Sequence, residues 1–415
     1  MSAYRDIVIA GGGMVGLSLA LQLSRSLPAS ATITLVESVP LPASHSDSAP
    51  VYHPSFDARS TALSYSSRCI YRAMGLWDGL AQWTCPIDTI HVSNRGRFGS
   101  SVLRAGDYRW PALGYVVENA WMGRYLLHAL QSEGRVELVT PARVTSSEPG
   151  AAGACLQLDS DGVDTLQAGL LVVADGANSA LRASLGVAAE EKPYGQHALV
   201  ANVAFARDHQ GCAFERFTDQ GPLALLPLLA AEGAPHRASL VWTLTQQEAS
   251  RYRECEEPEF LAALQDRFGY RLGRLTQVGE RFSYPLSLLQ SEEQVRQGVV
   301  IMGNAAHALH PVAGQGFNLA LRDIAALAET LAKAFDEDRA PGDLAVLQGY
   351  EQRQRADQAR TIQLSDLLPQ LFMRSDPVLG ITRDMALSGL DVLAPLKRQF
   401  VRQAAGMAAL GATGG

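Results

Sequence analysis

The sequence predicts an α/β protein in which a domain built on a parallel sheet is interrupted by a mostly β domain. Residues 6–37 follow a strand–helix–strand pattern, which is the start of a βαβ unit. Residues 85–118 and 196–286 instead alternate polar and apolar residues between glycine turns, as antiparallel strands do. From Val299 the chain returns to a strand, a glycine turn and a helix. The parallel-sheet domain is therefore expected to be discontinuous.

The individual elements follow from the same patterns. In the first unit, residues 6–10 and 32–37 are predicted strands, and residues 14–27 are a predicted helix with apolar residues at helical spacing. The remaining predictions are a helix through residues 60–77, a helix near 122–132, a strand near 136–139, a strand, turn and helix over 166–186, and mostly helices from residue 349 onward.

These elements divide the chain into three parts, in keeping with the roughly two domains expected at this length plus a terminal extension. The α/β domain is expected to comprise residues 1–84, 119–195 and 287–348. The β-rich domain is expected to comprise residues 85–118 and 196–286, and a helical region residues 349–415.

Composition excludes several classes of protein. Hydrophobic residues make up 47% of the 415 residues and charged residues 19%, which is typical of a globular chain with a sizeable core. The net charge is −7 and there is no basic cluster, so no nucleic-acid partner is expected. The five cysteines are scattered without a CxxC pair, which predicts neither a disulfide framework nor a zinc site and favours a reducing, cytoplasmic location.

Neither a signal peptide nor a membrane span is expected. The chain enters a strand directly at its N-terminus. No apolar run reaches the roughly 18 residues that a membrane helix needs. The most apolar piece, from Pro222 to Ala231, is interrupted by Pro227. It is expected to be a buried strand or the wall of a pocket.

The first segment with a chemical signature is a glycine fingerprint. Gly11, Gly13 and Gly16 form G-x-G-x-x-G between a predicted strand and a predicted helix, and Glu37 ends the next strand about 20 residues on. Gly11 permits a tight turn, Gly13 lets the backbone approach a pyrophosphate, and Gly16 lets the helix pack closely on the strand. The helix N-terminus attracts phosphate, and Glu37 can accept hydrogen bonds from ribose hydroxyls. The fingerprint predicts a Rossmann-like dinucleotide site.

Two further segments follow strands. Asp175 and Gly176 end the strand before a short helix, a pattern that by itself is more often a helix cap. The stretch from Val299 to Asp323 contains Gly303-Asn304, Pro311, Gly314 and Gly316 and carries almost no bulky side chain before its helix. Such a turn allows backbone to lie against a flat or charged ligand. Two histidines also occur in it, and without a third ligand at useful spacing no metal site is expected.

The three segments, in this order, resemble the flavoprotein aromatic monooxygenases, the group that includes para-hydroxybenzoate hydroxylase. Within that group, FDARSTALS around Arg59 and AFERFTDQGPLALLP from Ala213 to Pro227 resemble the ubiquinone-biosynthesis hydroxylases. The pairing of TIHVSNRGRFG with DYRWPALGYVVEN is similar to 2-polyprenyl-6-methoxyphenol hydroxylases. The resemblance implies a Rossmann-like FAD-binding domain, an inserted β-rich substrate domain and C-terminal helices.

The resemblance also implies which residues hold the cofactor, FAD. The ADP moiety would be held by the first fingerprint and Glu37, with Arg59 and Arg124 near the pyrophosphate and Val144 near the adenine. Asp175 would lie between FAD and the nicotinamide of NAD(P)H. The expected cofactor-binding residues are thus Gly11, Gly13, Met14, Val15, Gly16, Glu37, Arg59, Arg124, Val144, Asp175, Gly303, Asn304, Pro311, Gly314 and Gly316. Asn304 departs from the family's usual acid, and it keeps the hydrogen bonding without the charge.

The implied reaction needs little acid–base machinery from the chain, because the cofactor carries the difficult chemistry. NAD(P)H, docking transiently without a domain of its own, would reduce FAD. Reaction with O₂ would give a C4a-hydroperoxide, which hydroxylates the ring of a polyprenylated phenol. No residue is predicted firmly as a catalytic base, and His307 and Tyr284 are candidates by proximity alone.

Several alternatives remain open from the sequence. The run Leu223 to Leu229 is either a wall for a prenyl tail or an ordinary core strand. The stretch from Asp391 to Met407 mixes basic and apolar residues, as in a helix at the inner-membrane surface, in a contact with other ubiquinone-biosynthesis proteins, or simply packed on its own domain. Functionally, the alternatives are a flavin-dependent reductase or oxidase of an isoprenoid substrate, or a non-catalytic flavin-binding scaffold.

Overall fold

A computed structural model of the protein describes residues 4–41, 60–95, 100–150, 153–160, 162, 164–218, 221–309, 314–373, 398–399, 401–403 and 405–407. The strands, in chain order, are β1 (Tyr4–Ala10), β2 (Ile33–Val36), β3 (Ser60–Ser64), β4 (Cys85–Ile87), β5 (Thr89–Asn94), β6 (Ser100–Arg104), β7 (Gly114–Glu118), β8 (Val136–Val139), β9 (Ala142–Gly150), β10 (Gly153–Ser160), β11 (Thr165–Val173), β12 (Ala189–Phe205), β13 (Cys212–Thr218), β14 (Gly221–Leu228), β15 (Arg237–Thr245), β16 (Leu275–Val278), β17 (Phe282–Ser291), β18 (Val295–Arg296), β19 (Val299–Ile301) and β20 (His307–Ala308). The helices are α1 (Met14–Ser26), α2 (Tyr65–Ala73), α3 (Trp77–Ala81), α4 (Asn119–Glu133), α5 (Ala180–Ser184), α6 (Gln246–Glu254), α7 (Glu257–Phe268), α8 (Gln315–Asp336) and α9 (Leu344–Met373).

The first sheet has a parallel core in the order β19-β11-β1-β2-β8. Its central strands are apolar on both faces, as a parallel sheet covered on both sides requires. One face packs against α1, α4 and α8, and the other packs against the hairpin β9-β10. The predicted α/β class and the strand–helix–strand start are confirmed. All five parallel strands point their carboxyl ends to the same edge.

The second sheet has nine strands in the path β20-β17-β12-β15-β14-β13-β5-β6, with β16 beside β12. Its strands alternate between two environments because successive side chains point to opposite faces. Leu223 and Leu225 of β14 are fully buried against α6 and α7, in a core that also contains Trp242 and Phe260. The other face of the same strands lines a cavity, described below.

A small third sheet corrects one prediction. Residues 60–77 were expected to form one helix, but Ser60–Ser64 is strand β3, which pairs antiparallel with β7. The helix begins only at Tyr65, because the Ser64 hydroxyl accepts a hydrogen bond from the backbone N–H of Ser67 and so caps it. Pairing with the free edge of β7 determines the conformation of these five residues. Because β7 is distant in the sequence, the local residue pattern does not reveal this pairing.

The region 196–286 is also more helical than expected. Strands joined by turns were predicted, but α6 and α7 lie within it. A signal was present: Thr245 and Glu248 have the spacing of a capping box, and the Thr245 hydroxyl accepts a hydrogen bond from the Glu248 N–H. Tertiary packing also stabilises these helices, since the apolar face of α7 covers the sheet.

The stretch 85–118 divides between two sheets, which a single antiparallel sheet does not describe. β4 and β7 join β3, whereas β5 and β6 join the nine-stranded sheet, where β5 runs parallel to β13. In addition, β12 and β17 continue past the expected domain limits at 195 and 287. The division into domains at those residues stays a prediction.

A buried ion pair connects the three-stranded and nine-stranded sheets. The Arg237 guanidinium on β15 lies 2.7 Å from the carboxylate of Glu118 at the end of β7, and both side chains are more than 90% buried. Arg237 also donates a hydrogen bond to the carbonyl of Leu229. The pair therefore depends on partners from distant parts of the chain.

The C-terminal part of the chain packs on the body of the protein where it is described. α9 runs along α8, and Val401, Ala405 and Met407 are buried. The backbone N–H of Ser66 donates a hydrogen bond to the carbonyl of Ala405. Most of the basic and apolar stretch 391–407 lies outside the described residues. None of the described helices combines the length and hydropathy needed to cross a membrane.

Candidate active site

The three segments predicted to carry chemistry meet at the carboxyl edge of the parallel sheet. The glycine loop follows β1, and Glu37 follows β2. The Asp175 turn follows β11, and Gly303 lies two residues after the end of β19. These strands are neighbours in the sheet. Open α/β sheets bind their ligands outside this edge, at the carboxyl ends of the strands.

The glycine loop is shaped by two close backbone contacts. Gly11 has a φ of +113°, and a side-chain Cβ there would lie 2.5 Å from the carbonyl oxygen of Ala174. A Cβ on Gly16 would overlap the carbonyl oxygen of Gly11. Nothing lies within 4 Å of the corresponding position on Gly13. Gly11 and Gly16 are thus required by the fold itself, whereas Gly13 faces open space.

Helix α1 offers its N-terminus at the end of this loop. Gly13 is its N-cap residue, no side chain caps it, and its first turn contains no acid. The free N–H groups and the positive end of the helix dipole are therefore presented together. Met14 and Val15 begin the helix and are partly buried against the core.

Glu37 holds the loop from the neighbouring strand. One carboxylate oxygen accepts a hydrogen bond from the Gly12 N–H at 2.5 Å, and the other accepts one from the Val39 N–H at 2.8 Å. The carboxylate is thus fixed beside the glycine loop. Its role toward a ribose stays a prediction.

The second segment touches the first. Asp175 is exposed, and its Cα would lie 3.0 Å from a Cβ on Gly11, so the two turns are packed together. The helix cap considered for this segment is provided by Ser179, whose hydroxyl accepts a hydrogen bond from the Arg182 N–H. Asp175 is left at the surface of the cleft, and its predicted role between FAD and nicotinamide is untested.

The third segment closes the site from the far end of the chain. Gly303 has a φ of +60°, and a Cβ on it would lie 3.1 Å from the side chain of Val15. Asn304 is exposed, with its amide oxygen 4.0 Å from the Cβ position of Gly316. Gly314 is the N-cap of α8, which like α1 has no side-chain cap and no acid in its first turn. Two uncapped helix N-termini thus lie on this side of the molecule.

Asn318 ties the start of α8 to strand β3. Its amide nitrogen donates hydrogen bonds to the carbonyls of Ala62 and Gly314, at 2.8 and 2.6 Å. Its amide oxygen accepts hydrogen bonds from the Ser64 N–H and the Ser67 hydroxyl, at 2.8 and 2.6 Å. The side chain is almost fully buried. All four bonds of the amide are therefore used to fix the glycine turn against the sheet.

Replacing Asn318 with leucine is expected to destabilise the protein by about 2–3 kcal/mol, because it removes the partner of four buried polar groups. Urea unfolding followed by circular dichroism measures this. We also expect weaker retention of the cofactor on gel filtration, because the carbonyl of Gly314 loses its anchor. An unchanged unfolding midpoint would show that the four hydrogen bonds have no net effect.

A cavity of about 370 Å³ lies between the start of α8 and the nine-stranded sheet. One wall is formed by β3 and by residues 314–318 of α8 and its cap. The opposite wall is the free face of the sheet, and Val401 and Ala405 also line the cavity. The sheet side chains on it are mostly apolar, namely Ile90, Leu103, Ala213, Pro222, Ala224, Leu226 and Val241, and Ile87 of β4 adds to the lining. Its size and lining are those of a small-molecule site.

Strand β14 satisfies both interpretations of the apolar run Leu223 to Leu229. Leu223 and Leu225 belong to the core, whereas Ala224 and Leu226 line the cavity. The alternation follows from the two-residue period of a strand.

Glu215, on β13, is a cavity residue that the sequence analysis missed. Burial in these surroundings raises the pKa of its carboxyl to about 7. No described residue forms an ion pair or a hydrogen bond with it. A signal was available, since Ala213, Glu215 and Phe217 share one face of a predicted strand and only Glu215 is charged.

The raised pKa of Glu215 predicts how stability depends on pH. The folded protein holds the proton of Glu215 more tightly than the unfolded chain does. The contribution of Glu215 to the free energy of unfolding therefore falls as pH rises from about 4.5 to about 7. Glu215→Gln removes the ionisation. At pH 8 the variant is expected to be more stable than the wild type by about 1–3 kcal/mol, with the difference nearly absent at pH 5. Urea unfolding at both pH values tests this, and a difference independent of pH would contradict it.

The other candidate residues lie elsewhere. His307 is buried and its Nε2 lies 3.0 Å from the Asp323 carboxylate, which also accepts hydrogen bonds from two glutamines of α9. Tyr284 is 38% exposed on β17 and, like His307, is not part of the described cavity lining. Their catalytic roles stay predictions. Arg124 is exposed on α4 and Val144 is buried on β9.

Two expected cofactor residues cannot be placed in the site. Arg59 and Pro311, together with His310, lie outside the described residues. Across the described residues, no three His, Cys, Asp or Glu side chains gather where they could bind a metal ion.

Comparisons with known proteins agree with this architecture. The sequence profile of a family described as an FAD binding domain matches residues 4–365. The ubiquinone hydroxylase UbiL of Rhodospirillum rubrum is 34% identical over 98% of this chain and 90% of that protein. The 3-demethoxyubiquinol 3-hydroxylase of Escherichia coli is 30% identical over 97% of this chain and 98% of that protein.

Solved structures share the fold at lower identity. The p-nitrophenol 4-monooxygenase PnpA from Pseudomonas putida superposes with a TM-score of 0.76 at 17% identity, covering 98% of this chain and 99% of that one. The structure of PqsL from Pseudomonas aeruginosa gives a TM-score of 0.73 at 21% identity, covering 92% of this chain and all of the other.

The class of the protein is therefore that of the FAD-dependent aromatic monooxygenases, and FAD is its cofactor. Within this class, the chain belongs to the FAD-binding family that includes the ubiquinone hydroxylases. The resemblance noted from the sequence is confirmed at this level.

Proposed function

We propose that this monooxygenase hydroxylates the aromatic ring of a polyprenylated phenol in ubiquinone biosynthesis, with 2-polyprenyl-6-methoxyphenol as the substrate type. The observation that supports this proposal best is the apolar cavity of about 370 Å³ between the start of α8 and the nine-stranded sheet. A phenol ring and the first part of an isoprenoid chain are of a size that such a cavity accommodates.

The residues of the carboxyl edge fit FAD. The open space at Gly13 and the uncapped N-terminus of α1 suit a pyrophosphate, and Glu37 lies beside the loop where a ribose would be held. At the other end, Gly303 and the start of α8 would hold the ribityl chain and the ring. When bound, FAD would take two electrons from NAD(P)H and activate O₂, which supplies the oxygen atom for the hydroxylation.

The chain itself binds, orients and shields the substrate. Asn318 fixes the turn at Gly314 against β3, so that one wall of the cavity is rigid where the substrate ring is expected. The apolar walls exclude water from the reacting atoms. Ile87, Leu103 and Leu113 line the cavity with aliphatic side chains that suit an isoprenoid tail.

The decisive experiment is the analysis of quinone intermediates in a cell that lacks this protein. The proposal expects 2-polyprenyl-6-methoxyphenol to accumulate and to disappear when the wild-type chain is restored. A different accumulated ring would assign the hydroxylation to another position. In the purified enzyme, the matching result is substrate-stimulated NAD(P)H oxidation, with one atom of labelled O₂ recovered in the product. NAD(P)H oxidation without labelled product would overturn the proposal.

We further propose that the protein works peripherally at the inner membrane or beside other ubiquinone-biosynthesis proteins, because a polyprenylated substrate resides in the bilayer. The test is co-flotation of the FAD-loaded enzyme with vesicles of phosphatidylethanolamine and phosphatidylglycerol that contain the substrate. An enzyme that stays in the soluble fraction while turning over vesicle-bound substrate would contradict a stable membrane association.

A further inference from the structure

The cavity beside α8 contains one ionisable side chain among the described residues that line it, and that side chain is Glu215. The other polar side chains on this lining are neutral, such as the hydroxyls of Ser64 and Thr243. The amide of Asn318 is occupied by its four hydrogen bonds. Glu215 is therefore the only group on this described lining that can accept a proton near neutral pH.

The strand register places Glu215 within the substrate wall. It lies opposite Ala224 on β14, and Ala224 lies opposite Val241 on β15. All three line the cavity. The neighbour of Glu215 on β5 is Val92, whereas its neighbour on β14 is the small Ala224, so there is room on the β14 side of the carboxylate for a flat ring.

The charged groups of the surrounding elements are directed elsewhere. Arg216, the next residue on β13, points to the opposite face of the sheet. On that face His91 of β5 and Arg271 are bonded to each other at 2.7 Å. Asp366 of α9 is paired with a lysine and a tyrosine. The carboxyl of Glu215 thus faces a space in which no described cation neutralises it.

This setting explains why burial raises the pKa of Glu215 to about 7. A group with that pKa is available both as a base and as an acid at neutral pH, which is the range in which general acid–base catalysis is most effective.

We propose that Glu215 is a catalytic residue that accepts the hydrogen bond, and then the proton, of the phenolic hydroxyl of the substrate bound in this cavity. The inference rests on the proposed function. In this step the phenol O–H bond breaks, its electron pair stays on the phenol oxygen, and the proton forms an O–H bond with a carboxylate oxygen of Glu215. No group is oxidised or reduced. The negative charge spreads to the ring carbons ortho and para to the oxygen, which makes those carbons nucleophilic.

The test compares Glu215→Gln with the wild type, both loaded with FAD, using 2-prenyl-6-methoxyphenol with one isoprene unit and its methyl ether. For the wild type, kcat/KM for the phenol should rise with pH through about 7. In the variant this pH dependence should be lost, and kcat/KM at pH 8 should fall by about 100- to 1,000-fold. Glu215→Asp, which keeps a carboxylate, should recover part of the activity and the pH dependence.

Binding provides a second readout that does not depend on turnover. By calorimetry at pH 8, the wild type should bind the phenol about 10-fold more tightly than the methyl ether, because only the phenol donates a hydrogen bond to the carboxylate. In Glu215→Gln this preference should shrink below about 3-fold. Glu190→Gln, an exposed glutamate on β12 of the same sheet, is the control and should match the wild type in both readouts.

The two readouts separate this inference from the proposed function. If the wild type hydroxylates the phenol and Glu215→Gln keeps its pH profile and binding preference, the role of Glu215 is wrong and the function stands. If the wild type releases no hydroxylated phenol but the binding preference disappears in Glu215→Gln, the function is wrong and the contact with Glu215 stands. A wild type that binds neither compound overturns both.

Discussion

Replacing Gly16 with alanine is expected to abolish FAD binding and to destabilise the fold by about 3 kcal/mol, because the new Cβ would overlap the carbonyl oxygen of Gly11. The carbonyl oxygen belongs to the backbone and the position of the Cβ is fixed by the backbone, so neither atom can rotate away. Helix α1 must move off β1, and its N–H groups then leave the position where they face the pyrophosphate. The measurements are the flavin absorbance retained after gel filtration and the urea unfolding curve.

Two other glycines separate the effect on the fold from the effect on the cofactor. Gly13→Ala meets nothing within 4 Å and adopts an ordinary backbone conformation, so the stability without FAD should change by less than about 1 kcal/mol. Its FAD affinity should nevertheless fall, because the methyl group would occupy the approach to the pyrophosphate. Gly349→Ala on the exposed side of α9 should retain FAD like the wild type. A yellow Gly16→Ala protein with full flavin content would contradict the argument.

Replacing Glu118 with glutamine is expected to destabilise the protein by about 3–5 kcal/mol, because it leaves the charge of Arg237 buried without its counter-charge. Glutamate and glutamine have nearly the same shape, so the change in stability reports the loss of charge and hydrogen bonding. The connection between the three-stranded and nine-stranded sheets should weaken first. The urea midpoint, followed by circular dichroism and by tryptophan fluorescence, measures the loss.

An exposed ion pair provides the matched control for Glu118. Arg251 and Glu259 lie 2.6 Å apart on α6 and α7, with about half or more of each side chain in solvent, so Glu259→Gln should change stability by less than about 1 kcal/mol. The double variant Glu118→Leu with Arg237→Met should recover most of the lost stability, because no unpaired charge remains. Equal effects of Glu118→Gln and Glu259→Gln would show that burial does not strengthen the pair.

The sequence predicted the parallel-sheet domain well because its signals are local. A strand, a glycine turn and a helix follow one another within a few residues at Gly11 and again at Gly303, and each motif carries its own physical reason. The antiparallel regions were predicted less well, because pairing there is decided by distant partners. Ser60–Ser64 became a strand only because β7 offers a free edge, and the helix at Gln246 was missed although its capping box was present.

The site shows the same division. Gly11, Gly16 and Gly303 were identified because their spacing is specific. The structure packs Gly11 and Gly16 against backbone atoms and Gly303 against the side chain of Val15. Glu215 and Asn318 were not identified, because one acid in a strand or one amide in a helix is unremarkable until the cavity and its neighbours are known. The enclosure around Glu215 arises from β14, β15 and α8, which no short stretch of sequence around residue 215 contains.

The close approach of Val15 and Gly303 determines when during synthesis the enzyme can bind its flavin. The ribosome makes the half of the cofactor site around Val15 long before it makes the half around Gly303. Flavin capture therefore follows synthesis of strands β1 to β19, which belong to all three sheets. A message truncated before Gly303 would yield a colourless product, so the yellow colour itself reports that translation passed this point.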